Sequence, residues 1–157
     1  MQKPLILALE SSCDDTAAAV LEGKKILANV ISTQEIHQIY GGVYPEFAAR
    51  AHQEKLIPTV DFALKKAEKT LKDIQIIACT QGPGLVGSLM VTNSFAKSLS
   101  LALNVPLIGV HHLKAHILAH LLEDERQKNP EFPFLSLVIS GGHTQWVWVE
   151  NPYQMKI

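Results

Sequence analysis

Residues able to do chemistry are concentrated in one stretch, where four of the seven histidines fall within ten residues, His111 to His120. An apolar run, Pro106 to Val110, precedes this stretch, and the apolar spacing after it predicts a helix. On that helix His112, His116 and His120 would recur every four residues and line one face. Two imidazoles at this spacing are typical of a site for one divalent metal ion, and equally typical of a hydrated helix face. The pattern alone leaves both interpretations open.

A metalloprotease is not indicated by this helix. The zinc-protease helix carries a glutamate directly after its first histidine, where it acts as general base. Here Leu113, Lys114 and Ala115 separate the two histidines, so no carboxylate lies between them. Two histidines also cannot complete a metal site, so at least one further ligand must come from elsewhere.

Two small polar turns are the second set of candidates. Ser11 to Thr16 follows the apolar strand Pro4 to Glu10, and Ser140 to Thr144 follows a second apolar strand. Short side chains and glycines let backbone amides close around a phosphate, which suits the later turn. Asp14 and Asp15 would repel a phosphate, so the first turn is better suited to hold a metal ion or water, or to accept a proton. An ordinary hairpin is the alternative for each turn.

Other conspicuous residues receive structural interpretations. Gly82 to Gly87, here called the glycine loop, precedes a helix and favours either anion binding or tight strand-to-helix packing. Cys79 is predicted to belong to the core, since no base lies near it in sequence. His37 and His52 are predicted to be surface residues.

Composition limits the class of protein. The chain has 157 residues, 47% of them hydrophobic, which excludes disorder, and no apolar run approaches the roughly 20 residues of a membrane span. Two cysteines cannot form a disulfide framework, and no signal peptide precedes the first strand, so a cytoplasmic location is expected. A net charge of −1 gives no electrostatic argument for binding nucleic acid.

Apolar periodicity and turn residues predict the order β-β-β-α-β-α-β-α. This order is a three-strand meander extended by two strands with crossover helices, the ribonuclease-H-like α/β pattern of a mixed sheet with flanking helices. The predicted strands are Pro4–Glu10, Ala17–Leu21, Ile26–Ser32, Ile74–Thr80 and Pro106–Val110. The predicted helices run from Pro45 to about Lys69 with a kink or restart at Pro58, from about Leu85 to Leu103, and through the histidines.

A charged linker, Glu123 to Pro130, predicts the domain boundary. The first domain would comprise residues 1–128, and residues 129–157 would be the first strands of a second domain. LSLVIS-GGHT-QWVWVE after the linker repeats the pattern of LILALE-SSCDDT-AAAVLE at the start, which indicates a duplicated fold. The second copy is expected to end before its third strand and helices. We therefore expect an N-terminal fragment, or a natural truncation, of a two-domain protein.

Four motifs in this order and spacing resemble one family. They are ESSCDDT (Glu10–Thr16), GGVYPEFAARAH (Gly41–His52), GPGLVGSL with VHHLKAH (Gly82–Leu89 and Val110–His116), and SGGHT (Ser140–Thr144). Together they resemble the TsaD family of tRNA N6-adenosine threonylcarbamoyltransferases, formerly described as glycoproteases or O-sialoglycoprotein endopeptidases. The first turn is similar to that of the bacterial branch.

The resemblance implies an actin-like, sugar-kinase-like ATPase fold of the ASKHA superfamily, in proteins much longer than this chain. It implies transfer of a threonylcarbamoyl group from threonylcarbamoyl-adenylate to N6 of adenosine 37, in tRNAs reading codons that begin with A. The implied partners are tRNA, a dimerising non-catalytic paralogue, an accessory ATPase, and the threonylcarbamoyl-adenylate synthase that supplies the substrate. No membrane partner is implied.

Site residues follow from the resemblance by position. His112 and His116 match the two metal-binding histidines, with one divalent metal ion per subunit, iron favoured and zinc the alternative. The family's third protein ligand, a late aspartate, has no counterpart in this sequence. Val138, Ile139, Ser140, Gly141 and Gly142 match the substrate-binding loop for the adenine nucleotide. Asp14 matches a catalytically important acidic residue, and His143 could touch the nucleotide.

Alternatives and consequences complete the expectations. With one metal ligand and most of a domain absent, the chain alone is expected to be inactive and to bind metal weakly. A non-catalytic, paralogue-like scaffold is the alternative function, and a metal-dependent glycoprotease is less favoured because it lacks a general base. Sugar or acetate kinases share the implied fold but would not need the histidine helix.

Overall fold

The structure is a computed structural model that describes residues 3–34, 42–123, 128–140 and 144–157. The described residues divide into two compact units, Met1–His112 and Leu113–Ile157, and each is described by itself. The strands are β1 (Leu5–Glu10), β2 (Thr16–Glu22), β3 (Lys25–Ser32), β4 (Ile76–Gly82), β5 (Leu107–His111), β6 (Phe134–Ile139), β7 (Thr144–Asn151) and β8 (Gln154–Lys156). The α-helices are α1 (Pro45–Lys66), α2 (Val86–Leu103) and α3 (His112–Leu118).

The sheet of the first unit has the strand order β3-β2-β1-β4-β5. β1 pairs antiparallel with β2, and β2 pairs antiparallel with β3 across a turn at Gly23, whose φ of +60° suits glycine. β4 pairs parallel with both β1 and β5, as crossover connections require. The predicted meander with two added parallel strands is therefore confirmed, and with it the ribonuclease-H-like mixed sheet.

One face of this sheet is covered by the two long helices. α1 packs on β2 and β3, α2 packs mainly on β4, and the helices pack against each other. Leu7 in β1 and Ile77 in β4 are 0% exposed at the centre of this core. Burying a side chain of this size contributes about 1.5–3 kcal/mol, so the covered sheet forms a stable base for the loops at its strand ends.

Helix α1 is one element from Pro45 to Lys66 and does not restart at Pro58. A proline inside a helix removes one backbone donor and leaves the carbonyl four residues earlier without its helical partner. Pro58 and Glu54 are both exposed, so that carbonyl is on the solvent side of the helix. The helix therefore tolerates the proline.

The histidine helix is shorter than predicted. His111 is the last residue of β5, and α3 contains only His112 and His116. His120 lies in a 3-10 turn from Ala119 to Leu121, where the backbone tightens and the amide of Leu122 bonds the carbonyl of Ala119 at 3.2 Å. The predicted helix face with three histidines is therefore wrong, and it is reduced to a pair.

The second unit contains a three-stranded antiparallel sheet in the order β6-β7-β8. β8 is a third strand, so the expectation that this copy ends before its third strand is wrong. The side chain of Asn151 explains the turn, since its Oδ1 accepts the amides of Tyr153 at 2.9 Å and Gln154 at 3.0 Å. The strand order of the opening meander thus occurs again.

A small core explains the extent of the second unit. Ile117 of α3 packs with Val138, Val147 and Val149 of the sheet. The two compact units divide between His112 and Leu113, and residues 124–127 of the predicted linker lie outside the described residues. Within the described ranges, no helix combines the length and the apolarity needed to cross a membrane.

Candidate active site

The turn from Glu10 to Thr16, here called the acidic turn, joins β1 to β2. Its hydroxyl residues turn inward: Ser11 and Thr16 are 0% exposed and Ser12 is 5% exposed. Cys13 and Asp15 are exposed, and Asp14 is half-buried. The small residues thus anchor the turn from below and present two carboxylates at its tip.

Glu10 ends β1, and its carboxylate collects hydrogen bonds from three neighbouring segments. It accepts the backbone amide of Ser12 and, at 2.5 Å, the hydroxyl of Thr80 in β4. Its Oε2 also lies 3.2 Å from Nδ1 of His112. Burial raises the pKa of Glu10, but the hydrogen bonds from Ser12, Thr80 and His112 outweigh it and hold the pKa below the ordinary value of 4.5. Glu10 is therefore a carboxylate at neutral pH.

This carboxylate defines how His112 can act. Because a carboxylate only accepts hydrogen bonds, the contact favours the tautomer of His112 with its proton on Nδ1. The hydroxyl of Ser12 lies 3.1 Å from the same nitrogen. A metal ion would then be bound through Nε2, in the carboxylate–histidine arrangement common around metal sites.

The glycine loop packs directly on the acidic turn. The amide of Leu85 donates to the carbonyl of Ser12 at 2.7 Å, and a Cβ on Gly84 would lie only 2.5 Å from that oxygen. Ser11 adds a hydrogen bond from its hydroxyl to the carbonyl of Ser88 in α2 at 2.9 Å. Of the two interpretations of the glycine loop, these contacts support tight packing.

His52 of α1 holds the other side of the acidic turn. Its Nε2 lies 2.9 Å from the carbonyl of Cys13, and its Nδ1 lies 2.7 Å from the hydroxyl of Thr16. The side chain is 0% exposed, so the prediction that His52 is a surface residue is wrong. His37, the other residue of that prediction, lies outside the described residues.

The two cysteines are unsuited to nucleophilic catalysis. Cys79 is 1% exposed within the core, as predicted, and its thiol lies 3.4 Å from Oδ1 of Asn93. Burial raises the pKa of Cys79, and burial followed by the negative charge of Asp14 raises the pKa of Cys13. Both groups therefore remain thiols at neutral pH.

The histidine pair could provide two of the ligands that a divalent metal needs. His112 and His116 lie four residues apart on α3, and imidazole is a suitable ligand for iron or zinc. Among the residues that the structure describes, no group of three His, Cys, Asp or Glu side chains could hold a metal ion. The two imidazoles are thus suitable in kind for such a metal ion.

The predicted substrate-binding loop follows β6 in the second unit. Val138 is buried in the small core, whereas Ile139 is 70% exposed and Ser140 is also exposed. Gly141 and Gly142 lie outside the described residues, as does His143. The strand thus anchors the start of the loop through Val138.

Sequence reasoning missed two residues of this site, Glu10 and His52. A signal for Glu10 was available, because it is a charged residue at the end of the otherwise apolar strand β1. For His52 the signal is its position between Ala48 and Leu56 on the buried stripe of α1. A polar residue at such a position has to find a buried hydrogen-bond partner.

The fold and the acidic turn define an α/β protein of the ribonuclease-H-like class with a polar site at its strand ends. The family model "TsaD: tRNA N6-adenosine threonylcarbamoyltransferase" matches residues 25–157. The chain therefore belongs to the TsaD family.

Curated relatives carry the same description. The tRNA N6-adenosine threonylcarbamoyltransferase of Christiangramia forsetii is 56% identical over 99% of this chain, and that of Riemerella anatipestifer is 54% identical over 100%. The transferase of Porphyromonas gingivalis is 50% identical over 98% of the chain. In each case the match covers 46% of the relative, so the chain spans about half the length of these proteins.

Solved structures share the fold at lower sequence identity. YeaZ from Pseudomonas aeruginosa superposes with a TM-score of 0.60 at 19% identity, covering 94% of this chain and 68% of YeaZ. A second structure, described as an uncharacterized protein similar to peptidase YEAZ from Pseudomonas aeruginosa, has a TM-score of 0.57 at 24% identity, covering 92% and 57% respectively. At these identities the likeness extends to the fold alone.

Proposed function

We propose that this chain forms part of a tRNA N6-adenosine threonylcarbamoyltransferase that acts in the cytoplasm. The observation that carries the proposal is the acidic turn of this family member, which holds Asp14 half-buried between anchored neighbours. In the reaction, N6 of adenosine 37 attacks the carbonyl carbon of threonylcarbamoyl-adenylate. The bond from that carbon to the phosphate oxygen breaks, AMP leaves, and N6 loses one proton.

Asp14 is proposed as the catalytic residue. The exocyclic amine of adenine is a weak nucleophile, so a nearby carboxylate can assist it by orientation or by accepting its proton. Asp14 lies at the tip of the acidic turn, while the carbonyl of Cys13 and the hydroxyl of Thr16 on either side of it are tied to α1. Fixed neighbours of this kind give a carboxylate a defined direction.

His112 and His116 are proposed as metal ligands. When bound there, iron or zinc would polarise the carbonyl of the threonylcarbamoyl group as a Lewis acid. Glu10 supports this assignment because it orients His112 through Nδ1. The third ligand would come from the longer protein, as the resemblance to the family implies.

Val138 to Gly142 are proposed as the binding loop for the adenylate. The backbone amides from Ser140 onward would hold the phosphate of the AMP leaving group, as successive amides of a small-residue turn can. The buried position of Val138 supports this assignment, since it holds in the small core the end of β6 from which the loop continues.

The non-catalytic paralogue is proposed to bind the outer side of α1 and α2. Ile57 and Met90 are each 64% exposed there, beside a cleft of about 380 Å³ lined also by Leu56, Val91 and Phe95. An exposed apolar surface on two packed helices suits a second helix pair. tRNA, the accessory ATPase and the threonylcarbamoyl-adenylate synthase are proposed as further partners from the family resemblance alone.

The scaffold and glycoprotease alternatives have less support. The relatives at 50–56% identity are all described as transferases. The helix α3 carries no glutamate between its histidines, and the carboxylate of Glu10 lies against Nδ1 of His112.

The test is reconstitution with a full-length transferase carrying these residues, its partner proteins and synthetic threonylcarbamoyl-adenylate. Modified nucleoside is quantified by mass spectrometry after digestion of the tRNA. Threonylcarbamoyladenosine should form on tRNA with adenosine 37 and be absent when that base is guanosine. No product on the adenosine tRNA, or equal labelling of both tRNAs, would overturn the proposal.

A further inference from the structure

Among the described residues of the first unit, His52 is the largest polar side chain that is fully buried, and the proposed mechanism does not yet use it. A buried polar ring is unfavourable unless its nitrogens are hydrogen-bonded. Both nitrogens of His52 are bonded, and both bonds reach the acidic turn, 36 and 39 residues away in sequence. The ring thus connects helix α1 to the segment that carries Asp14.

The partners determine which ring nitrogen carries the proton. The carbonyl of Cys13 only accepts hydrogen bonds, so Nε2 is the protonated nitrogen that donates to it at 2.9 Å. Nδ1 faces the hydroxyl of Thr16 at 2.7 Å and the side-chain amide nitrogen of Gln34 at 3.4 Å. An amide NH₂ only donates, so Nδ1 is suited to accept. A neutral ring protonated at Nε2 satisfies every one of these contacts.

The two bonds hold the acidic turn on both sides of its carboxylates. Cys13 immediately precedes Asp14, and Thr16 immediately follows Asp15. The exposed tip therefore has two residues between two fixed points, and little freedom remains for its backbone. The glycine loop holds the turn at Ser12, and the hydroxyl of Ser88 in α2 also donates to the carbonyl of Cys13, at the longer distance of 3.5 Å. Among the described contacts, the hydroxyl of Thr16 is held by His52.

We propose that His52 is a positioning residue that fixes Asp14 by binding the acidic turn at Cys13 and Thr16 through its Nε2-protonated ring. The catalytic consequence rests on the proposed function of Asp14, whereas the anchoring of the turn does not. A displacement of about 1 Å of a catalytic group can lower turnover about 100-fold, so this is the size of effect expected from losing the anchor.

The experiment compares three variants of a full-length transferase. His52→Leu removes both hydrogen bonds, and His52→Gln keeps a side-chain amide that can donate to the carbonyl of Cys13. Thr59→Val is the matched control, because Thr59 is also buried in α1 and donates to the carbonyl of Lys55 at 2.7 Å, away from the turn. Each variant is examined by hydrogen–deuterium exchange of peptides covering the acidic turn, and by kcat and KM for tRNA.

His52→Leu is expected to speed exchange in the acidic turn and to lower kcat about 100-fold with KM for tRNA little changed. His52→Gln should recover part of the slow exchange of the acidic turn and part of kcat. Thr59→Val should alter neither the exchange of the turn nor kcat. Unchanged exchange in the turn of His52→Leu would overturn the proposal, as would an equal loss of kcat in Thr59→Val. A wild-type enzyme that forms no threonylcarbamoyladenosine would overturn the proposed function instead, while the exchange result would still decide whether His52 anchors the turn.

Discussion

The two sheets of this protein have the same opening strand order and very different surroundings. Each begins with an antiparallel meander, β1-β2-β3 in the first unit and β6-β7-β8 in the second. In the first, helices α1 and α2 cover the face that contains Leu7. In the second, one face packs around Ile117, and the other presents large apolar side chains that are 42–70% exposed: Leu135, Leu137, Ile139, Trp146 and Trp148.

This difference shows what gives a strand–turn–strand unit a defined site. The acidic turn receives hydrogen bonds from α1, which packs on the first sheet, from β4, which is a strand of that sheet, and from the glycine loop that follows β4. Those bonds exist because packing brings distant segments to the end of β1. The same local pattern at β6 and β7 is anchored in the described residues by a smaller core. The elements that pack around a sheet therefore determine the position of its chemical groups more than the sequence of the turn does.

The largest expected effect contrasts a leucine of each sheet. Leu7→Ala removes a side chain that is 0% exposed and should lower the free energy of unfolding by about 2–5 kcal/mol. Leu137→Ala removes one that is 43% exposed and should cost about 0.5 kcal/mol. Urea unfolding followed by circular dichroism measures both. Equal losses in the free energy of unfolding would mean that the two leucines are equally buried, and that the two sheets are covered to the same extent.

A second prediction concerns the anchored strand end. Glu10→Gln weakens the hydrogen bond that orients His112 and should lower the affinity for Zn²⁺ or Fe²⁺ about 10–100-fold in a full-length transferase. Isothermal titration calorimetry measures the metal affinity directly and does not depend on enzymatic activity. Glu22→Gln, at the far end of β2, is the matched control and should leave the affinity unchanged. An unaltered metal affinity in Glu10→Gln would mean that Glu10 does not support the proposed metal site.

A third prediction tests the exposed face of the second sheet. The chain has two tryptophans, Trp146 and Trp148, both in β7 and 58% and 42% exposed. Tryptophan emission should therefore be that of solvated indoles and should be quenched readily by acrylamide. The single variants Trp146→Phe and Trp148→Phe separate the two signals, and the remaining Trp148 should be quenched somewhat less than the remaining Trp146. Emission shifted to shorter wavelength and resistant to quenching would show that this face is covered in solution.

The smallest expected effect lies on the first unit far from the acidic turn. The hydroxyl and then the amide of Thr70 hydrogen-bond to Asp73 and hold its pKa below the ordinary value of 3.8. Because the folded-state pKa is the lower one, the stabilisation is present above 3.8 and is lost as the pH falls through the folded value. Thermal unfolding of Asp73→Asn should differ slightly from wild type near neutral pH and converge with it in acid. A difference independent of pH would contradict this.

Much of the fold was predictable because its signals are local. The alternating and apolar runs of β1 to β5, the turn at Gly23 and the proline that begins α1 each determine structure over a few neighbouring residues. The length of α3 was not predictable in this way, because apolar spacing does not show where an α-helix tightens into a 3-10 turn. β8 was missed because its three residues give almost no periodicity.

The site itself depends on contacts that no local pattern contains. Asp14, His112 and His116 were predicted from their spacing and turn chemistry and from the resemblance to a family, whereas the residues that support them were not predicted. Glu10 meets His112 across 102 residues, and only the parallel pairing of β1, β4 and β5 brings them together. His52 reaches the acidic turn only because α1 packs on β2. Supporting residues of this kind follow from topology.

Turnover of a full-length transferase with Asp14→Asn is the most direct measurement of whether the acidic turn carries the chemistry. Asparagine keeps the shape of the side chain and removes its charge and its ability to accept the proton. Asp61→Asn, an exposed charge on α1 paired with Lys65, is the control. A loss of about 100–10,000-fold in kcat for Asp14→Asn alone, with folding intact, is expected. Wild-type turnover in Asp14→Asn would contradict the assignment of this turn as the catalytic element.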